Sequence, residues 1–137
     1  MDDIVVETMW AIVIDKEKGI YKLDNIPFYG PPVATEDIFT AKYSAEDEFL
    51  VFDKVIEESG NSIIQVLVNE NEEIQKLRDF FSDLKCDSEK MNDKFFVLEI
   101  SKDVNYSVIK RELDKLENNE LIEYAEPSLS VIHKNQI

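Results

Sequence analysis

Apolar and polar residues alternate along much of the first half of the chain. A period of two is typical of β-strands that are buried on one face. Turn-forming residues separate the runs, as at 15–19 and 57–61. Strands are predicted over 8–14, 20–23, 37–43, 49–56 and 62–68. Short strands joined by tight turns favour a strongly curved antiparallel sheet or a small barrel.

The second half alternates helical and strand patterns. Asn69 is a predicted N-cap for the first helix, and Asp103 or Asn105 for the second. Each helix carries one apolar stripe, formed by Ile74, Leu77, Phe81 and Leu84 in the first and by Ile109, Leu113 and Leu116 in the second. The apolar run 95–100 suits a strand buried on both faces. The resulting order of strand, helix, strand, helix, strand resembles part of a ferredoxin-like sandwich.

These patterns predict an α+β fold. A curved antiparallel sheet or small barrel in the N-terminal half is joined to a ferredoxin-like half. We expect a single domain over 1–137, because domains typically contain about 100–150 residues. Its sub-lobes are 1–68, mostly β, and 69–127, α/β, followed by a partly ordered tail over 128–137. Trp10 and most of the aromatic residues between 21 and 52 are expected in the core.

Charge restricts the classes of partner. The chain of 137 residues has 30 acidic and 15 basic side chains, a net charge of −15. The first 70 residues hold 15 of the acids, only 5 of the bases and no arginine. A classical nucleic-acid binder would be basic, and anionic lipid would repel this surface. We therefore expect no direct nucleic acid and no membrane as partners.

No residue set for catalysis, a metal or a cofactor is recognisable. Cys86 is the only cysteine, so an internal disulfide is impossible. His133 is the only histidine and lies in the predicted tail, which does not suffice for a zinc site. Ser59-Gly60 sits in a turn without a nearby base. Neighbouring acids on a strand face opposite ways and do not converge on one ion. We expect no enzymatic activity, and the polar N-terminus predicts a cytoplasmic protein.

Several motifs resemble an uncharacterised bacterial family, domain of unknown function 4265. They are Trp10, Gly19, Tyr21, Leu23-Asp24-Asn25-Ile26-Pro27-Phe28, Asp37-Ile38, Ala41 and Ser59-Gly60-Asn61-Ser62. The resemblance covers roughly 7–125, and members often carry His where this chain has Asn61. The family name implies no activity. In size and style the chain is similar to immunity proteins of bacterial toxin systems, an analogy of type only.

We therefore expect an acidic, cytoplasmic, protein-binding inhibitor. The favoured hypothesis is an immunity protein that neutralises a bacterial toxin, a basic nuclease above all, by direct binding. Electrostatic steering would speed that association. The predicted partner-binding residues are Glu46, Asp47, Glu48, Glu57 and Glu58, with Tyr29 as an aromatic anchor on a rigid loop.

Two alternatives remain open. The chain could be a nucleic-acid mimic that acts on a DNA- or RNA-binding protein. It could instead be a small-molecule-binding or enzymatic domain that uses the loop over 25–32, with Asp24 and Asn25 as ligand contacts. A large apolar pocket with convergent polar groups would favour this second alternative.

Overall fold

The computed structural model describes residues 3–6, 9–27 and 32–137, with side chains from Val5 onwards. The described elements are β1 (Asp3–Val6), β2 (Met9–Asp15), β3 (Ile20–Leu23), β4 (Ile38–Ser44), β5 (Phe49–Glu57), β6 (Ser62–Val68), α1 (Ile74–Asp83), β7 (Asp87–Asn92), β8 (Phe95–Ile100), α2 (Tyr106–Asn118), β9 (Ile122–Ser128) and α3 (Val131–Lys134).

The strands β1 to β5 form a barrel in sequence order. Neighbours are antiparallel except at the closure, where β1 runs parallel to β5 and Val6 lies opposite Leu50. The interior holds a cluster that includes Met9, Ala11 and Phe39. Because side chains alternate along a strand, the inward positions of Met9 and Ala11 turn Trp10 outward. Trp10 is 54% exposed, so the prediction that it lies in the core is wrong.

The second sheet has the strand order β7-β8-β6-β9, and all its described pairs are antiparallel. Most residues of the central strands β6 and β8 are buried, as is typical of strands covered on both faces, although Leu67 in β6 is 52% exposed. One face packs against α1 and α2 through side chains that include Ile64, Phe81, Leu98 and Leu113. The sequence placed β6 with the N-terminal lobe, but its pairing puts the lobe boundary before residue 62.

The α+β class is confirmed, since two mostly antiparallel sheets combine with three described helices. The apolar stripes of α1 and α2 face the core as predicted. Asn105 caps α2 by accepting a hydrogen bond from the Ser107 N–H, also as predicted. Asn69 does not cap α1, which begins after Glu73 without a side-chain cap. Strand β7 has no counterpart in the sequence prediction.

The Asn25 side chain fixes the loop after β3. Its Oδ1 accepts a hydrogen bond from the Trp10 N–H at 2.8 Å, and its Nδ2 donates to the Ile26 carbonyl at 3.1 Å. Ile26 and Ala34 then pack on the second sheet beside Phe95. The motif around Asn25 thus joins the barrel to the other lobe through backbone contacts and packing.

The last residues are held against the fold. Segment 128–137 was predicted as a partly ordered tail, yet it carries α3 and a fully buried His133. The Ser130 side chain caps this helix by accepting from the His133 N–H. The Gln136 side chain accepts from the Tyr106 N–H at the start of α2. The Val131 N–H donates to the Glu58 carboxylate, which places the C-terminal segment beside the end of β5.

Candidate partner-binding groove

A groove of about 680 Å³ lies between the end of β5 and the C-terminal segment. We call this feature the β5 groove. The residues that line it are Pro32, Asp37, Val55, Ile56, Glu57, Glu58, Ser59, Gly60, Asn61, Glu126, Pro127, Ser128, Leu129, Ser130, Val131, Ile132 and Lys134. One wall therefore comes from the barrel and the other from β9 and α3.

Asp37 organises the floor of the groove. Its side chain is 3% exposed, and its carboxylate accepts hydrogen bonds from the Ala34 N–H at 2.9 Å and the Ser59 N–H at 2.8 Å. The Ser59 hydroxyl lies 2.9 Å from the same carboxylate and 2.8 Å from the Thr35 carbonyl. Burial raises the pKa of Asp37 above its usual value, while the bonds from Ser59 and Ala34 oppose that rise.

Asn61 and Gly60 carry the chain from the barrel into the second sheet. The Asn61 amide donates to the Thr35 carbonyl at 3.1 Å and accepts from the Lys102 N–H at 3.0 Å. Gly60 has φ +95°, and a Cβ there would lie 2.8 Å from the Cβ of Lys102 and 2.9 Å from Cδ1 of Ile132. Only glycine fits this crossing without strain.

A buried Ser62–His133 pair holds the opposite wall. The Ser62 hydroxyl lies 2.6 Å from His133 Nδ1. His133 Nε2 lies 3.0 Å from the Ser101 carbonyl and 3.2 Å from that of Val104. Carbonyls only accept, so Nε2 carries the proton and Nδ1 accepts from Ser62. Both side chains are fully buried, so a substrate has no route to Ser62, and the pair anchors the C-terminal segment.

The β5 groove is acidic. Its lining includes Glu57, Glu58 and Glu126 against one base, Lys134. Glu126 is already paired with Lys110 at 3.2 Å. Glu58 accepts a hydrogen bond from the Val131 N–H at 3.0 Å, at the start of α3. Glu57 forms no ion pair with another described residue.

The predicted partner-binding acids do not form one patch. Glu46, Asp47 and Glu48 lie exposed at the turn of the β4–β5 hairpin, where Ser44 pairs with Phe49. Glu57 lies at the opposite end of that hairpin, roughly 26 Å of strand away. Only Glu57 and Glu58 border the groove. Tyr29, the predicted aromatic anchor, lies outside the described residues.

Other titratable groups serve packing. Burial raises the pKa of the Cys86 thiol to about 12, which makes it unreactive. Burial and the hydrogen bond to Glu126 raise the pKa of Tyr106.

Over the described ranges, no group of three or more His, Cys, Asp or Glu side chains could hold a metal ion. The helices in those ranges are also too short or too polar to cross a bilayer.

The residues that shape the groove were largely missed from the sequence. Asp37 was predicted only as the start of a strand. Its position just after a turn was the one signal that its side chain could accept backbone hydrogen bonds. His133 was set aside because it is a lone histidine in the predicted tail and is remote in sequence from Ser59. The Ser62–His133 contact spans 71 positions, and no local pattern reveals a pairing of that separation.

We predict that His133 makes stability depend on pH. Burial lowers the pKa of His133 from 6.5, so this side chain binds a proton less readily in the folded protein than in the unfolded chain. The stabilisation is therefore complete above pH 6.5 and is lost as the pH falls below it. Urea unfolding over a pH series gives the free energy of unfolding of the wild type and of His133→Asn at each pH. The stability difference should shrink in acid by at most about 1.4 kcal/mol per pH unit. A difference that stays constant with pH would contradict this.

We predict that Asp37→Asn lowers the free energy of unfolding by about 2 kcal/mol or more. The donors from Ala34 and Ser59 now face a carboxylate, which only accepts hydrogen bonds. The asparagine amide would place its own N–H group against one of these donors. Asp83→Asn, at the exposed end of α1, is the control and should change stability by less than about 0.5 kcal/mol. Chemical denaturation of both variants at neutral pH provides the comparison. Equal losses in the two variants would show that the Asp37 network does not stabilise the fold.

Comparisons with known proteins agree with this fold. The chain is similar to a solved structure titled "Novel crystal structure of a hypothetical protein from Neisseria gonorrhoeae", with a TM-score of 0.75 and 21% sequence identity. The similarity covers 89% of this chain and 82% of that one, and at this identity it shows the fold alone. No curated protein matches the chain. The model of a family described as a domain of unknown function, DUF4265, matches residues 7–124, so the chain belongs to that family, as its motifs predicted.

Proposed function

We propose that this chain is an acidic protein-binding inhibitor, an immunity protein that neutralises a basic bacterial toxin by direct binding in the cytoplasm. The observation that carries the proposal is a set of exposed carboxylates with no cationic partner. Among the described residues, the ion pairs include none of Glu46, Asp47, Glu48, Glu57 and Glu58. A basic nuclease domain is the toxin class that this charge suits best.

The net charge of −15 supports rapid capture of a basic partner. Electrostatic steering raises association to about 10⁸–10⁹ M⁻¹s⁻¹ at low salt. An immunity protein benefits from speed because it must act before the toxin does. The proposal assigns this chain no catalytic role.

The separation of the two acidic groups is compatible with one partner. A domain of about 100 residues has a radius of gyration near 13 Å. Such a domain is wide enough to contact both ends of the β4–β5 hairpin, which lie roughly 26 Å apart along the strand. The hairpin then supplies Glu46–Glu48 at one end of the interface and Glu57–Glu58 at the other.

A small-molecule-binding domain is the second candidate. The β5 groove, at about 680 Å³, falls within the usual size of ligand sites, about 300–1,000 Å³. Pro32, from the loop over 25–32, lines it. The acidic lining favours a cationic ligand in that case.

We also propose a ferredoxin-like arrangement for the second lobe. The succession β6-α1-β7-β8-α2-β9 supports this because it follows the β-α-β-β-α-β order of that motif. The strand β7, which the sequence did not predict, corresponds in this proposal to the second of the motif's four strands.

The test is co-expression of the tagged chain with its neighbouring genes, followed by purification at low and at high salt. The proposal expects a stoichiometric basic partner that is toxic alone and harmless with this chain. It also expects association to slow when salt is raised five-fold, roughly halving the Debye length. If no partner is captured at either salt, the proposal fails, and a screen of cationic metabolites tests the second candidate.

We predict that Glu48→Gly stabilises the protein and slows association with that partner. Glu48 has φ +59°, and glycine relieves a strain of about 1 kcal/mol for an L-residue in the left-handed region. The same change removes a charge from the hairpin turn.

Glu120→Gly is the matched control for this variant. Glu120 has φ +61° just after α2, so both variants lose one charge and one strained residue. Thermal unfolding should show similar stabilisation for both. Stopped-flow association should slow only for Glu48→Gly. Equal association rates for the two variants would remove the hairpin turn from the interface.

A further inference from the structure

The outer edge of β5 is exposed where it borders the groove. Among the described residues, β1 pairs with β5 at a single position, Val6 opposite Leu50. Positions 55–57 of β5 lie beyond this contact. Among the described residues, Val55 and Glu57 pair with β4 on one side, with a bulge between them at Ile56, and all three residues line the β5 groove on the other. An open strand edge presents backbone N–H and C=O groups that can accept another strand.

A second strand edge borders the same groove. In the second sheet β9 is the outermost strand, paired only with β6 among the described strands. Its last residues, Glu126, Pro127 and Ser128, line the groove opposite β5. An extended segment lying between β5 and β9 would thus contact the barrel and the second sheet together.

The side chains of the groove define the chemistry of its occupant. Ile56, Val131 and Ile132 line it and are 48%, 56% and 45% exposed, so apolar side chains are available for contact in the groove. Glu57 and Glu58 line the same groove. Apolar and acidic groups in one groove complement a segment that alternates apolar and basic side chains.

We propose that the β5 groove binds an extended basic segment of the partner protein, which adds as a strand to the edge of β5 at 55–57. This inference rests on the proposed function, since it assigns the site and the mode of that binding. Backbone hydrogen bonds to the edge supply affinity in this mode, and pockets for alternate side chains supply specificity. Lysine or arginine side chains of the segment pair with Glu57 and Glu58, and its apolar side chains pack on Ile56.

A second copy of this chain is a poorer occupant. Two copies would each bring a net charge of −15 to the contact. Like charges placed opposite each other across an interface cost several kcal/mol. The charge of the groove therefore selects a basic partner.

The test uses a synthetic peptide of alternating lysine and valine and its counterpart with alternate amides N-methylated. N-methylation keeps every charge and side chain but removes the N–H groups that a strand needs. Titration calorimetry at low salt should show the methylated peptide binding at least about tenfold more weakly. Equal affinities would overturn strand addition.

Two variants with matched exposure locate the binding. Ile56→Glu should weaken the unmethylated peptide by about tenfold although it adds a negative charge, because the apolar contact is lost. Ile14→Glu alters a side chain that is also 48% exposed, on β2, and should leave the affinity unchanged or slightly higher. Tighter binding by both variants would mean attraction by charge alone and would overturn the inference.

Failure here is separable from failure of the proposed function. One outcome is that the co-expression test yields a toxic partner while neither Ile56→Glu nor N-methylation changes the affinity for the peptide. In that case the immunity proposal stands and the β5 groove is not its site. If the unmethylated peptide does not bind at low salt, the strand-addition inference is overturned, whatever partner is captured.

Discussion

The buried carboxylate of Asp37 is the constraint on which the arrangement of the two lobes depends. A buried charge is costly unless hydrogen bonds satisfy it. Ala34 lies before β4 and Ser59 follows β5, so donating to Asp37 fixes both segments relative to the start of β4. Where the chain leaves the barrel after β5, Ser59 donates to that carboxylate through its N–H and its hydroxyl. The end of β5, and with it the β5 groove, is set by this contact.

A second network fixes the other side of the groove. Ser62, at the start of β6, bonds to His133, and His133 Nε2 bonds back to the carbonyl of Ser101 after β8. Between the two networks, Asn61 joins the Thr35 carbonyl to the Lys102 N–H. Hydrogen bonds therefore run from the barrel to the C-terminal segment through Ser59, Asn61 and Ser62. Both walls of the groove are held by groups that are themselves buried or half-buried.

Local patterns were sufficient for most regular elements, although β1, β7 and α3 were not predicted. The periodicity of Ile74, Leu77 and Phe81 identified α1, and alternation identified β2 to β6. Strand β7 was missed because its polar, exposed sequence forms a strand only by pairing with β8. Trp10 was misplaced because bulk was weighed above the alternation that turns it outward.

The site depended on contacts that no local pattern contains. Glu57 and Glu58 were found from their charge, and they do border the groove. Glu46, Asp47 and Glu48 were found in the same way but lie at the far end of the hairpin, because consecutive turns of a hairpin strand fall at opposite ends. Asp37 and His133 join the two sides of the groove through partners that are distant in sequence, Ser59 and Ser62, so charge and spacing gave them no functional weight.

The two proposals are linked by the acidic edge of β5. Charge at both ends of the β4–β5 hairpin attracts a basic partner, and the groove beside β5 offers that partner backbone groups and apolar side chains at one place. The hairpin turn would mainly affect the rate of association, whereas the groove would affect the rate of dissociation.

Amide hydrogen exchange of this chain, free and in complex with the toxic partner, tests the central claim most directly. Exchange reports which backbone N–H groups gain protection when the complex forms. The account predicts added protection at 55–57, at the edge of β5. Protection confined to other surfaces, such as the outer face of β2 around Trp10, with unchanged exchange at 55–57, would contradict it.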